Sequence, residues 1–352
     1  MDKAHYLPVF IQSIQWDDSE KVQELYDLLD LWELCTPVQA LQLLDRRFLD
    51  PKIRAYAVHC LEELNDEDLA LYMLQLCQQL KFENHVDSAL SRFLLRRSLK
   101  NLRLIGHIFF WFLQSEVYNR DVRKRFITLL QIYLRKCEHH RIELGHQMFV
   151  MRRLESVAEK VVSEGKNAKK RLEILHEQLR TIVLPPEFQL PLNPHIKIVS
   201  IVVEKCRVME SKKKPLWLTL KDTENRDIVL MLKVGDDLRQ DALILQLLKV
   251  MDSLWKKEGL DMQLQLYGCI STGFERGLLQ VVLNAQTLAG VLKDAQDSGK
   301  SGGKAGSMTR KFGSAMKAWS GFTLIKEWIW QQVCFDVPIP DTGNEQSKCD
   351  YV

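Results

Sequence analysis

Proline is scarce in this sequence. There are ten in 352 residues, and four of them crowd into Leu184–Pro194 (LPPEFQLPLNP). Proline breaks helices and biases the residue before it to extended geometry, so this cluster marks a boundary. An excess of charge is missing too. A net +3 gives no electrostatic footprint for nucleic acid, although it permits contact with an anionic membrane surface. The eight cysteines form no C-x-x-C pair and sit mostly in apolar segments, which predicts buried free thiols in a reducing, cytoplasmic setting. The longest membrane-like run, Leu104–Leu113, is too short to span a bilayer and contains His107, so it is expected to be a buried core helix. Met1-Asp2-Lys3 leads into no apolar h-region, and no signal peptide is expected.

What is present suits a soluble protein of two or three domains, with 46% apolar and 27% charged residues. From about residue 5 to 183 apolar residues recur at helical spacing, as in Leu41, Leu44 and Phe48 or Val58, Leu61 and Leu64. Asp50-Pro51, Asn65-Asp66 and Asp87-Ser88 read as helix starts. Short connections predict antiparallel neighbours stacked as an α-solenoid over 1–183, followed by a proline-rich linker at 184–195. The basic clusters Arg96-Arg97, Arg123-Lys124-Arg125 and Lys169-Lys170-Arg171 are expected to be solvated, as are His139 and His140 at a helix end.

Beyond the linker the period switches to two. Strands are predicted at 196–208, 216–221, 227–233, 262–267 and 278–283, with a long helix from Asp237 to Lys257 after the third. The fold class is therefore α+β and multidomain: helical solenoid, then an antiparallel five-stranded sheet with one long helix. Within it, 231–241 (MLKVGDDLRQD) is the stretch of greatest chemical interest. A strand ends on Lys233, a glycine turn follows, and a helix opens on acids. A lysine supplies a mobile point charge for phosphate oxygens, and a carboxylate nearby fixes where it points.

The runs ESKKKPLWL (210–218), KVGDDLRQD (233–241), KEGLD (257–261) and YGCISTG (267–273), with DSALSRFLLRR (87–97), resemble the catalytic subunits of phosphatidylinositol 3-kinases, SKKKPLW being similar to the class I type. The resemblance covers about residues 5–293. It implies a helical domain followed by the ATP-covering small lobe of a kinase at 196–293, and ATP-dependent phosphorylation of the inositol 3-hydroxyl of phosphoinositides. It implies that Ser211 and Lys213 lie in a phosphate-covering loop and that Lys233 is the ATP-phosphate lysine. Asp236, Asp241 and Tyr267 would line the inner nucleotide pocket, Asp241 orienting Lys233, with Met231 on the adenine face. Leu279, Gln280, Val281 and Val282 would form the hinge. Gln280 stands where many relatives have Glu, and Phe274 where an Asp is usual. An SH2-containing regulatory subunit and a phosphoinositide membrane are the implied partners, with no nucleic acid. ATP is the implied cofactor, with Mg²⁺ in the full-length family.

The sequence holds no Asp-Phe-Gly, no Asp followed five positions later by Asn after residue 283, and no histidine after His195. The catalytic loop and Mg²⁺ ligands of such kinases are therefore expected to be missing, leaving ATP binding weak or vestigial, with little lipid kinase turnover from this chain by itself. A non-catalytic role, competing for kinase partners through the helical domain, is the alternative. Residues 294–352 are read as a divergent tail, with a Gly/Ser linker at 298–307 and an amphipathic helix at 315–333.

Overall fold

The computed structural model describes residues 6–186 and 188–286, together with Gly290. The sequence readings at 298–307, 315–333 and the tail lie outside the described residues. By its contacts the chain divides into a unit spanning Met1–Val281 and a second unit from Val282 onward.

Among the described residues, ten α-helices precede the sheet: α1 Leu7–Ser13, α2 Ser19–Leu31, α3 Pro37–Leu43, α4 Pro51–Leu61, α5 Asp66–Gln79, α6 Ala89–Lys100, α7 His107–Glu116, α8 Arg123–Lys136, α9 His140–Glu164 and α10 Ala168–Arg180. The expected starts hold. Asp50 accepts from the main-chain N–H groups of Lys52 and Ile53 at α4, Asn65 from Asp68 at α5, and Ser88 from Ser91 at α6. Each such cap is worth about 1 kcal/mol, because it satisfies a helix donor that has no partner within the helix. A π-helical turn at Leu102–Gly106 joins α6 to α7. No helix among the described residues is long and apolar enough to cross a membrane.

Three surface expectations are overturned. His140 is buried and its Nδ1 lies 2.9 Å from the Tyr133 hydroxyl. Arg125 donates to the main-chain carbonyls of Leu80 (2.7 Å), Lys81 (3.0 Å) and Glu83, where the helical segment around residue 80 ends. Arg97 turns inward to Asp66 at 2.7 Å. Each basic group meets polar partners on neighbouring segments, so burial with partners replaces hydration.

Among the described residues the sheet has seven strands, not five: β1 Phe188–Leu190, β2 Asn193–Ile201, β3 Arg207–Val208, β4 Leu216–Asp222, β5 Asp227–Val234, β6 Cys269–Gly273 and β7 Arg276–Gln280. The pairings are antiparallel, in the order β1-β2-β4-β5-β7-β6, with β3 also on β4. The expected strand 196–208 is broken by a 3₁₀ turn at Val203–Lys205. The expected strand 262–267 is absent. Gln263 sits at φ 49° and Leu264 O accepts from Leu266 N, so the chain turns where Met262, Leu264 and Leu266 imitate a strand's alternation. The long helix α11 spans Arg239–Lys257, after β5.

Leu216, Leu218, Leu230, Leu232 and Leu278 form one buried face of this sheet, within an apolar core continuous with Leu154, Val157 and Val161 of α9. The alternate residues of β4, β5 and β7 face the other way, and the residues of chemical interest lie there.

Candidate functional site

Register sets the floor of the site. Trp217 pairs with Met231, Met231 with Leu279, and Leu279 with Cys269. These four side chains therefore form a row across β4, β5, β7 and β6, extended by Arg207 of β3, whose guanidinium lies 4.3 Å from the Trp217 ring centre. Two positions along β5 from Met231, on the same face, is Lys233. Its cross-strand partner is Gly277. A methyl at Gly277 would run into the Ile270 carbonyl oxygen and press on Leu238. β6 and Leu238 can pack this close to the cross-strand partner of Lys233 only because that partner has no side chain.

Lys233 is mostly buried, and its Nζ lies 3.2 Å from Asp236 Oδ2. The turn between them depends on Gly235 at φ 83°, a left-handed conformation that side chains resist. Gly235 N and Asp236 N both donate to Glu275 O, at 2.7 and 3.0 Å, tying the turn to the β6–β7 hairpin. Lys213 Nζ lies 3.4 Å from where a Gly235 methyl would stand. Two ammonium groups therefore approach the same glycine turn, one from β5 and one from the Met209–Leu216 loop. That loop is closed by Met209 N donating to Pro215 O at 2.9 Å. Ser211 on the same loop is exposed.

Asp241 lies in the first turn of α11. Burial, then the charge of Asp241, push the Cys269 thiol up to about 12, while Lys233 and Lys249 act the other way. Tyr267 lines a cavity of about 200 Å³ with Cys269, Lys249, Gln246, Trp111 and His107.

At the hinge stretch, Gln280 N donates to Gly268 O (2.8 Å) and Gln280 Oε1 accepts from Gly268 N (3.1 Å). Val281 N donates to Val229 O at 3.0 Å. These two main-chain donors are engaged within the sheet. Val282, exposed, opens the second unit.

Sequence reasoning missed Trp217, Cys269, Arg239 and Glu116. Asp237 and Arg239 pair through Oδ2 and Nη2 at 2.7 Å, and Arg239 reaches the buried Glu116 of α7 at 3.4 Å. The period-two pattern places Trp217 opposite Leu216 and Leu218. Only the strand register, which no local pattern encodes, sets it beside Met231.

Residues 1–146 match the model of the phosphoinositide 3-kinase family accessory domain (PIK domain), and residues 227–338 that of phosphatidylinositol 3- and 4-kinase. The second match continues past residue 293 into the segment read from sequence as divergent. Among curated proteins, the chain is similar to three from Dictyostelium discoideum. It is 42% identical to phosphatidylinositol 3-kinase 2 over 299 residues, 84% of this chain. It is 43% identical to phosphatidylinositol 3-kinase 1 over 289 residues and 39% to phosphatidylinositol 3-kinase 3 over 292, each 82% of this chain. The chain spans only 16%, 18% and 17% of the length of these three relatives.

Proposed function

Because this chain belongs to the phosphatidylinositol 3-kinase family, we propose that its sheet is the ATP-holding small lobe of a lipid kinase. Within the whole protein it would serve transfer of the ATP γ-phosphate to the inositol 3-hydroxyl of a membrane phosphoinositide. The observation that carries this reading is the Lys233–Asp236 pair, 3.2 Å apart, at the edge of the Trp217–Met231–Leu279–Cys269 row. The row is a flat apolar floor suited to an aromatic base, and the lysine beyond it suits the base's phosphates.

The residues fit that ligand chemically. Lys233 offers a compact cation to non-bridging phosphate oxygens, and Asp236 holds it when no phosphate is there. Lys213, beside Gly235, brings a second cation from the covering loop, with Ser211 offering a hydroxyl. Asp241 is a second carboxylate that orients Lys233. Met231 and Leu279 pack on the adenine plane. Mg²⁺, where bound with ATP, neutralises charge on the phosphates; no described residue is assigned to hold it. Tyr267 is assigned to the cavity wall behind Cys269. The helical region, read as an armadillo-type α-solenoid, is assigned to regulatory contacts of the kind an SH2-containing subunit makes, in a cytoplasmic protein recruited to membranes.

Thermal unfolding of the protein with increasing Mg-ATP tests this. Wild type should melt higher as ligand rises, since a ligand bound only by the folded state stabilises it by mass action. Lys233→Ala should melt as wild type does without ligand, and should show no response to Mg-ATP. An undiminished Mg-ATP response in Lys233→Ala would overturn the assignment.

A further inference from the structure

Far from Lys233 in sequence, two cysteines and a tyrosine meet where α2, α3 and α4 come together. Cys35 lies in the connection from α2 to α3, and Cys60 in the last turn of α4. The main-chain N–H of Cys35 donates to Cys60 Sγ at 3.4 Å, which sets the two cysteines side by side. The Tyr56 hydroxyl lies 3.5 Å from Cys35 Sγ and donates to Glu33 O at 2.6 Å. Both sulfurs are reduced and nearly buried.

The surroundings single out this pair. The Cys35 thiol, ahead of the Cys35 main-chain N–H, the Tyr56 hydroxyl and the charge of His59, holds the Cys60 thiol down at about 6 in spite of burial. Burial pushes the thiols of Cys77, Cys137, Cys206 and Cys269 upward instead. A thiolate with donors around it and a second thiol in contact is the arrangement that peroxide oxidation and disulfide closure require.

We propose that Cys35 and Cys60 form a reversible oxidation site, converted by hydrogen peroxide into a disulfide that ties the α2–α3 connection to the end of α4. The Cys60 thiolate attacks one peroxide oxygen and the O–O bond breaks. This leaves a sulfenic acid on Cys60 and a hydroxide, which takes up the proton lost by the Cys60 thiol and becomes water. The Cys35 sulfur then attacks the Cys60 sulfur. The S–O bond breaks, the Cys35 proton leaves with that oxygen as a second water, and the S–S bond forms. Two thiols are oxidised and one peroxide is reduced to two waters; a dithiol reductant reverses the change by exchange.

The test is peptide mapping of the folded protein after a stoichiometric dose of hydrogen peroxide, with free thiols capped under denaturing conditions. Trypsin places Cys35 in Val22–Arg46 and both Cys60 and Cys77 in Ala55–Lys81, so Cys77 serves as an internal control and fragmentation assigns the bond. The expected product joins these peptides through Cys35 and Cys60, is two hydrogens lighter than its parts, and disappears on treatment with dithiothreitol. Cys35→Ser should lose the cross-link and leave a sulfenic acid on Cys60 that dimedone traps. Oxidation of Cys60 no faster than Cys77 in the wild-type protein would overturn the proposal, as would Cys60 running on to sulfinic acid with no bond to Cys35.

Discussion

Glu116, the last residue of α7, and Arg239, the first of α11, lie 3.4 Å apart between Oε1 and Nη1. The carboxylate also holds Lys81 at 2.9 Å and Gln78 at 2.9 Å. One buried acid of the helical region thus grips the start of the helix that follows Lys233. Burial works to raise the Glu116 carboxyl, but Gln78, Lys81 and Arg239 outweigh it and hold the group below its ordinary value.

Glu116→Ala should therefore cost about 3 kcal/mol in urea unfolding, the low end for breaking a buried ion pair, because Arg239 and Lys81 remain partly solvated. The sign with pH follows from the lowered carboxyl. The contribution of Glu116 is fully present above 4.5, its unfolded value, and is lost as pH falls through the lower folded value. The gap between wild type and Glu116→Ala should narrow in acid. A gap that stays constant down to the acid transition would contradict this account.

A second prediction concerns His107 and His140. Their rings lie 6.2 Å apart between centres, and His107 Nε2 lies 2.7 Å from Pro191 O. His107 Nδ1 and His140 Nε2 have no hydrogen-bond partner. Burial, ahead of every neighbouring charge, lowers both to about 4 from 6.5. The unfolded chain binds more protons than the folded one between those values, so stability should fall on acidification from pH 6.5 to 4, by at most about 3 kcal/mol for each ring. His107→Gln, whose amide can still reach Pro191 O, should flatten the slope of unfolding free energy over that window. An unchanged slope would show that these rings are not what titrates.

Gly277 supplies a third. A methyl there would drive into the Ile270 carbonyl oxygen on β6. Gly277→Ala should cost about 2 kcal/mol or more through displaced strands. It should also blunt the Mg-ATP response, because Lys233 faces this position. Near-wild-type stability would mean that the β6–β7 pairing gives way more easily than its register indicates.

A fourth addresses the other junction between helices and sheet. Glu155 of α9 accepts from Thr272 Oγ1 at 2.7 Å and from Arg276 Nη1 at 3.1 Å, with Glu159 also on Arg276 at 3.3 Å. Glu155→Ala leaves the buried Thr272 hydroxyl without its acceptor, a loss of about 1–3 kcal/mol. Glu155→Gln keeps an acceptor for Thr272 and should recover much of that loss in thermal or urea unfolding. Equal losses for the two variants would assign the whole effect to charge.

The helices were legible because their signals are local. Asp50, Asn65 and Ser88 each cap the helix that follows within three residues, and such a motif reads the same in a sequence as in a fold. The Lys233–Gly235–Asp236 turn was legible for the same reason. The failures involve partners distant in sequence. Nothing near Arg125 announces that its guanidinium will bond carbonyls more than forty positions earlier. Nothing in the alternation of Met262, Leu264 and Leu266 shows that Gln263 turns left-handed. The Trp217–Met231–Leu279–Cys269 row needed the register of four strands at once, and strand pairing is fixed by long-range packing.

α11 buries Leu245 and Gln246, yet Leu243, Ile244, Leu247, Met251 and Leu254 are exposed. So much aliphatic surface along one element makes water a poor solvent for this polypeptide at high concentration. Its light scattering should rise steeply with concentration and subside in a mild non-ionic detergent.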